Sequence, residues 1–272
     1  MTMASGLVPT RPSQAISSTP FATHLRPGDL NVRSLSRLEV ETILADHRRY
    51  VDTERKEGAR ADFSFVELCG VRFAGLKLRR ARFDHARLAG ADFTGADLRK
   101  ANLIGADLRG AKMPGADLTQ ARLSGANLSG ADLEGASLRG ADVEFALLPK
   151  AVLVRACMRA ADMSGAVLVE ANLSDADLQG ANLRGADFHR ARLEGANLCE
   201  ARLGGAFLAK ASLHGADLRG AYLRVARLDG ADLSAADLRG VVGLTQGQVD
   251  AAVCDRHTKL PDGIRDRGLD VG

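Results

Sequence analysis

The pattern of apolar and polar positions repeats every five residues from 61 to 240, without one insertion or deletion. In each of the 36 units the central position, here called i, is apolar, with 27 Leu, five Phe, three Met and one Val. Position i−2 is Ala in 33 units, the exceptions being Val66, Val71 and Leu76, and position i+2 is Gly in 20 units. Positions i−1 and i+1 are mostly polar. A strict five-residue unit therefore governs about two thirds of the chain.

This period fits neither a helix nor a continuous strand. In a helix, five residues advance by about 500°, so the i side chains would form no stripe. In a strand, an odd period would reverse the inward face at every unit. A short extended segment followed by a corner does fit, because i−2 and i then point to one side and i−1 to the other. Gly at i+2 suits a corner with positive φ. The repeat predicts an all-β solenoid filled with Ala and Leu.

The units at 96–100 (ADLRK) and 181–185 (ANLRG) match the A(D/N)LxX motif, so the sequence resembles the pentapeptide repeat family over the whole of 61–240. The resemblance implies a right-handed, quadrilateral parallel β-helix with four units in each coil. The 36 units would then form about nine coils. At about 4.8 Å per coil, such a rod is about 43 Å long.

A solenoid needs covered ends, and the flanking segments predict helical caps. Ser36 with Glu39, and Thr245 with Gln248, have the spacing of capping boxes. The first helix would place one face toward the coils, formed by Val40, Ile43, Leu44, His47 and Val51. The predicted organisation is a disordered tail at 1–35, an N-terminal cap at 36–60, the β-helix at 61–240, and a C-terminal cap and tail at 241–272. A transit peptide is the alternative for the mildly basic N-terminal tail.

Composition and charge narrow the class of protein. The net charge is +3, from 37 basic and 34 acidic residues, which argues against a nucleic-acid partner. The four Cys are far apart in sequence and predict neither a disulfide framework nor a zinc site, as expected in a reducing compartment. No apolar run has the length of a membrane span. These features are typical of a cytoplasmic, bacterial protein with no membrane partner.

With four units per coil, the i+1 positions from residue 79 onward form one column rich in Arg. Its members are Arg79, Arg99, Thr119, Arg139, Arg159, Gln179, Cys199, Arg219 and Arg239. One interpretation is a basic stripe for phosphate or an acidic partner. The other is a solvated face, because the i−1 column beside it carries Asp97, Asp117, Asp177, Asp217 and Asp237. The second interpretation is favoured.

Outward positions become apolar in one region of the repeat. The residues concerned are Leu147, Pro149, Val152, Val154, Val167, Val169 and Phe207, here called the apolar patch. The four-unit coil stacks Leu147 and Pro149 on Val167 and Val169. It places Val152 and Val154 around the next corner, and Phe207 two coils further along the first side. A contiguous apolar surface usually marks an interaction site. The alternatives are a simple strand preference of β-branched residues, or cover by the N-terminal tail.

The sequence favours a non-enzymatic scaffold that acts by protein–protein interaction. No His, Cys or Ser stands in a catalytic or metal-ligand spacing, and a filled core leaves no pocket. We expect no cofactor, metal or small-molecule substrate; the partner is another protein or a second copy. The family resemblance also implies an alternative, a DNA-mimicking regulator or protector of DNA gyrase or another topoisomerase. Such proteins are strongly acidic, whereas residues 61–240 hold 24 basic and 22 acidic residues.

Overall fold

The computed structural model describes residues 32–265 of the 272-residue chain. Its regular elements are β1 (Arg33–Ser34), α1 (Arg37–Asp52), β2 (Val66–Glu67) and α2 (Gln246–Asp250). Between β2 and α2, each five-residue unit contributes a one-residue parallel bridge followed by a turn. The parts of the two predicted tails at 1–31 and 266–272 lie outside the described residues.

Neighbouring coils pair through parallel bridges between residues 20 positions apart, such as Arg82 with Asn102. At this bridge the Phe83 N–H donates to the Asn102 carbonyl at 2.7 Å, and the Asn102 N–H donates to the Ala81 carbonyl at 2.9 Å. Because 20 residues are four units, four units form one coil, as the resemblance implies.

Each coil therefore has four outward faces. We number the faces by their first i−1 residue: face 1 starts at residue 62, face 2 at 67, face 3 at 72 and face 4 at 77. Every later coil adds to a face the residues 20 positions further on.

Ala, Leu and Phe side chains fill the interior. All 36 side chains at position i are buried, with exposures of 0–2%. At the N-terminal end the Phe63 ring stacks on Phe83 with centroids 5.3 Å apart, and Phe73 stacks on Phe93 at 4.9 Å. Burying one such side chain contributes about 1.5–3 kcal/mol before the loss of chain entropy. The Leu-rich core therefore supplies the main stabilisation of the solenoid.

The corners confirm the turn predicted at i+2. All 20 Gly and all 16 other residues at this position have φ between 53° and 70°. A hydrogen bond closes each corner; at one, the Ala86 N–H donates to the Phe83 carbonyl at 3.0 Å. Positive φ at the second central residue is the requirement of a type II turn. The corners occupied by residues other than Gly are accordingly strained.

The segment before the repeat pairs with the first coil. β1 lies parallel to β2, and the Arg33 N–H donates to the Phe65 carbonyl at 2.8 Å. The sequence predicts disorder for 1–35, and the structure corrects this prediction at Arg33 and Ser34. The strand forms because the open edge of the first coil offers backbone groups that need partners, whatever the side chains are.

Helix α1 begins with the predicted capping box. The Glu39 N–H donates to the Ser36 hydroxyl, and the Ser36 N–H donates to the Glu39 carboxylate at 2.7 Å. The residues of the predicted apolar face turn toward the coils: Val40 and His47 are buried, Ile43 and Leu44 pack against the core, and Val51 is partly buried.

The chain after the repeat packs against the last units of the solenoid. Thr245 and Gln248 form the predicted capping box of α2, and Val249 is buried. The Gln248 side-chain amide donates to the carbonyls of Leu223 and Ala226 at 2.9 and 2.8 Å, which ties α2 to the last coil. Further on, Val253 and Lys259 form parallel bridges to the last repeat units.

His47 joins α1 to the first coil through a buried hydrogen bond. The Ala61 N–H donates to His47 Nδ1 at 3.0 Å, and the side chain is 1% exposed. Burial, and secondarily the charge of Arg60, lowers the pKa of His47. The imidazole must be neutral to accept this bond, because both nitrogens of the charged form are donors.

We expect this histidine to make stability depend on pH. The unfolded chain takes up the His47 proton near its ordinary pKa of about 6.5, whereas the folded chain resists until a lower pH. The contribution is therefore complete above about pH 6.5 and is lost as the pH falls toward the lowered folded pKa. His47→Asn keeps an acceptor without titrating. Urea unfolding from pH 7.5 to 5 should show a smaller loss in this variant than in the wild type; equal losses would contradict the assignment.

Candidate interaction surface

The structure brings four residues of the apolar patch together on face 2. Leu147 and Val167 form a parallel bridge. Pro149 and Val169 lie side by side on the same two coils, where the Lys150 N–H donates to the Val169 carbonyl at 3.0 Å. Leu147 is 41% exposed, and the other three are partly exposed. Their side chains point away from the core because i−1 and i+1 are the outward positions of the unit.

The other three residues of the apolar patch stand apart from these four. Val152 and Val154 lie on face 3, where Val152 bridges to the polar residues Asp132 and Asn172. Phe207 is on face 2, but Asp187 lies between it and Val167. The Arg227 guanidinium lies over the Phe207 ring, 5.4 Å from its centroid, in a cation–π contact. The continuous apolar surface is therefore smaller than the predicted set.

Phe145 extends this surface and was missed by the sequence analysis. It occupies the corner between faces 1 and 2, directly before Leu147's unit, and is 66% exposed. Its ring lies across Gly165, where an added Cβ would be 2.6 Å from the ring atoms. The sequence did contain an indication of this residue: Phe145, like Val225, is an apolar residue at position i+2, where Gly is usual.

The Arg column on face 4 is compensated by the Asp column beside it. Within single units, Arg219 pairs with Asp217 and Arg239 with Asp237, each at 2.6 Å. Between coils, further pairs are Arg79 with Asp97 and Arg159 with Asp177. The hydrogen bonds from Arg219 are the largest cause that lowers the pKa of Asp217 to about 2. These contacts support the interpretation of face 4 as a solvated, charge-balanced surface.

A family model named Pentapeptide repeats matches the chain in eight copies between residues 59 and 242. Its matches follow the five-residue units described above and cover more than half of the chain. The chain belongs to the pentapeptide repeat family.

Other pentapeptide repeat proteins appear among the solved structures similar to this chain. HetL from the cyanobacterium Nostoc, described as involved in heterocyst differentiation regulation, is 31% identical; the match covers 80% of this chain and 97% of HetL, with a TM-score of 0.39. Full-length QnrB1, described as a plasmid-mediated fluoroquinolone resistance protein, is 23% identical; the match covers 72% of this chain and 93% of QnrB1, with a TM-score of 0.28. A search of curated proteins finds no match.

The described part of this pentapeptide repeat protein holds no metal-ligand cluster and no activated thiolate at Cys69. Residues 32–265 contain no cluster of three His, Cys, Asp or Glu side chains that could hold a metal ion. Cys69 is exposed, but partial desolvation of its thiol, followed by a hydrogen bond to Glu67, raises the pKa of the thiol to about 11, which disfavours the nucleophilic thiolate. The described helices include none with the length and apolarity needed to cross a bilayer.

Two surface cavities lie at the ends of the described solenoid. One, of about 420 Å³, lies between Arg227 and Gln248 beside α2, and the other, of about 220 Å³, lies between Tyr50 and Arg80 beside α1. The first is lined by Ala226, Arg227, Leu228, Asp229, Thr245, Gly247, Gln248 and Ala251, which include no nucleophile paired with a base.

Proposed function

We propose that this protein is a non-enzymatic, cytoplasmic scaffold that binds another protein through face 2. The rod has nine coils, and α1 and α2 cover its two ends. The supporting observation is the outward apolar surface of Leu147, Pro149, Val167 and Val169, continued at the corner by Phe145. A rigid, flat surface of this kind binds with little loss of conformational entropy, because its strands are fixed by the neighbouring coils.

The topoisomerase-directed alternative has less support. A DNA mimic needs an extended surface of one charge, whereas face 4 alternates Arg and Asp in ion pairs. We therefore keep the apolar surface, and not a charged face, as the site of contact.

The test compares proteins captured by immobilised wild type and by Leu147→Asp with Val167→Glu, from extracts of the cells that produce the protein. Ser137→Asp with Cys157→Glu is the matched control, because it adds the same charges at i−1 positions of adjacent coils on face 4. We expect a partner that the wild type and the control retain and that the face 2 variant loses. Retention of the same proteins by all three would contradict the proposal.

The solution mass, measured by light scattering, separates two kinds of partner. If the partner is another protein, the face 2 variant has the same mass as the wild type. A mass that falls in the face 2 variant and not in the control would instead make face 2 a self-association surface.

A further inference from the structure

Three apolar residues lie at corners between faces 1 and 2: Phe65, whose ring stacks on His85 at 5.0 Å, and the two more exposed residues Phe145 and Val225. Phe145 and Val225 have φ of 54° and 53°, and they are 66% and 74% exposed. A β-branched or bulky residue is strained in this region of φ, and Gly would remove the strain. The two residues are 80 positions apart, which is four coils, or about 19 Å along the rod. Phe145 covers Gly165 of the next coil, but neither side chain packs in the core and both remain largely exposed, so both are available for a contact outside the coil.

The part of face 1 between these corners has separated charges. Three acidic residues, Asp142, Glu144 and Asp162, lie toward the N-terminal side, and three basic residues, Arg184, Arg202 and Arg224, lie toward the C-terminal side. Within the described residues none of the six takes part in an ion pair, in contrast to face 4. A face with one acidic half and one basic half is complementary to itself when it is reversed.

We infer that face 1 binds a second copy of the chain in an antiparallel homodimer. The two-fold axis lies in the plane of the interface and crosses the rod at the coil of Asn182 and Arg184. Reversal about this axis exchanges the coils at 141–160 and 221–240, and the coils at 161–180 and 201–220. It keeps each edge of face 1 on its own side, so the corner that carries Phe145 and Val225 meets the same corner of the second copy.

This arrangement places opposite or complementary groups together at every coil that it exchanges. Phe145 meets Val225 of the second copy, and Glu144 meets Arg224 of the second copy. Asp162 meets Arg202 of the second copy, and the Tyr222 phenol, which is 49% exposed, donates to Asp142 of the second copy. Each contact occurs twice because the interface is isologous.

Other arrangements of two face 1 surfaces oppose like charges or lose charge contacts. Parallel rods would place Asp142 against Asp142 and Arg202 against Arg202. Moving the two-fold axis by half a coil toward the N-terminus would still place Asp142 against Arg202, but Glu144 would then face Gly204 and Arg224 would face Ser124, so the other charge contacts would be lost. At the proposed axis Arg184 is the one charged residue of face 1 that faces itself. The adjacent Gly204, where an added Cβ would meet no side chain within 4 Å, leaves these guanidinium groups room to separate.

The charge arrangement gives a direct test by light scattering. We expect the wild type to have about twice the 28.7 kDa mass of one chain. Arg202→Glu with Arg224→Glu should be a folded monomer, and so should Glu144→Arg with Asp162→Arg. A 1:1 mixture of the two variants should recover the mass of a dimer, because each reversed half then meets its complement. A monomeric wild type, or a dimeric mass in both unmixed variants, would overturn the inference.

A second variant separates association from folding. Phe145→Gly with Val225→Gly relieves two strained corners, so the variant should unfold at a higher urea concentration than the wild type at a monomeric dilution. The same variant should dimerise at least about tenfold more weakly, because it loses the two apolar contacts at the interface edge. Unchanged association would contradict the inferred contact, whatever the effect of the two substitutions on folding. The face 2 variant Leu147→Asp with Val167→Glu should remain a dimer, so failure of the proposed function and failure of this inference give different results.

Discussion

Replacing Leu148 by Asp is expected to unfold the middle of the solenoid, whereas replacing its neighbour Leu147 by Asp should leave the protein folded. Leu148 occupies position i and is 0% exposed, and Leu147 occupies i−1 and is 41% exposed. A carboxylate at 148 would be buried among apolar side chains without a partner, at a cost of at least about 4 kcal/mol. At 147 it would face water, where surface substitutions change stability by about 0.5 kcal/mol.

Urea unfolding followed by circular dichroism measures this difference. Hydrogen exchange shows which coils are destabilised. A solenoid depends on contacts between neighbouring coils, so local unfolding of one coil first affects the coils next to it. We expect loss of protection around residues 128–168 in Leu148→Asp alone. Equal destabilisation by the two variants would mean that positions i and i−1 do not differ in burial, which would contradict the fold.

The sequence was sufficient to predict the solenoid because every five-residue unit repeats the same pattern of inward side chains, outward side chains and turn. The burial of position i, the outward direction of i−1 and the positive φ at i+2 all follow from alternation within one unit and a corner after it. The number of units per coil does not follow from the period, because any set of equal corners gives the same pattern. That number came from the family resemblance and is confirmed by the 20-residue spacing of the bridges.

Features that depend on backbone pairing or on distant units were predicted less well. β1 carries no apolar alternation, since Arg33 and Ser34 pair with the first coil through backbone groups alone. Phe207 lies two coils beyond Val167 on face 2, where the four-unit coil places it, but the intervening Asp187 makes the apolar surface discontinuous. Phe145 was missed because outward residues were sought only at i−1 and i+1, although the corner at i+2 also faces solvent.

The second large effect is expected at the N-terminal end of the core, where Phe83 contacts three other rings. Its centroid lies 5.3 Å from that of Phe63, 5.7 Å from Phe73 and 5.8 Å from Phe93, in one stacked and two edge-on arrangements. Phe83→Ala leaves a cavity in a site that neighbouring coils prevent from collapsing, and we expect a loss of about 3–5 kcal/mol. Part of this loss comes from the ring–ring contacts themselves, at about 0.5–1.5 kcal/mol for each pair.

Phe83→Leu is the matched control, because Leu occupies 27 of the 36 equivalent positions and fits the same coil. A change between apolar residues of similar size costs less than about 1.5 kcal/mol, so the urea midpoint of this variant should lie much closer to that of the wild type. Hydrogen exchange in Phe83→Ala should increase first in the coils at 61–100 and in α1, which packs against that end of the core. A loss in Phe83→Leu as large as in Phe83→Ala would show that the coil requires an aromatic ring there, and that equivalent positions of the repeat are not interchangeable.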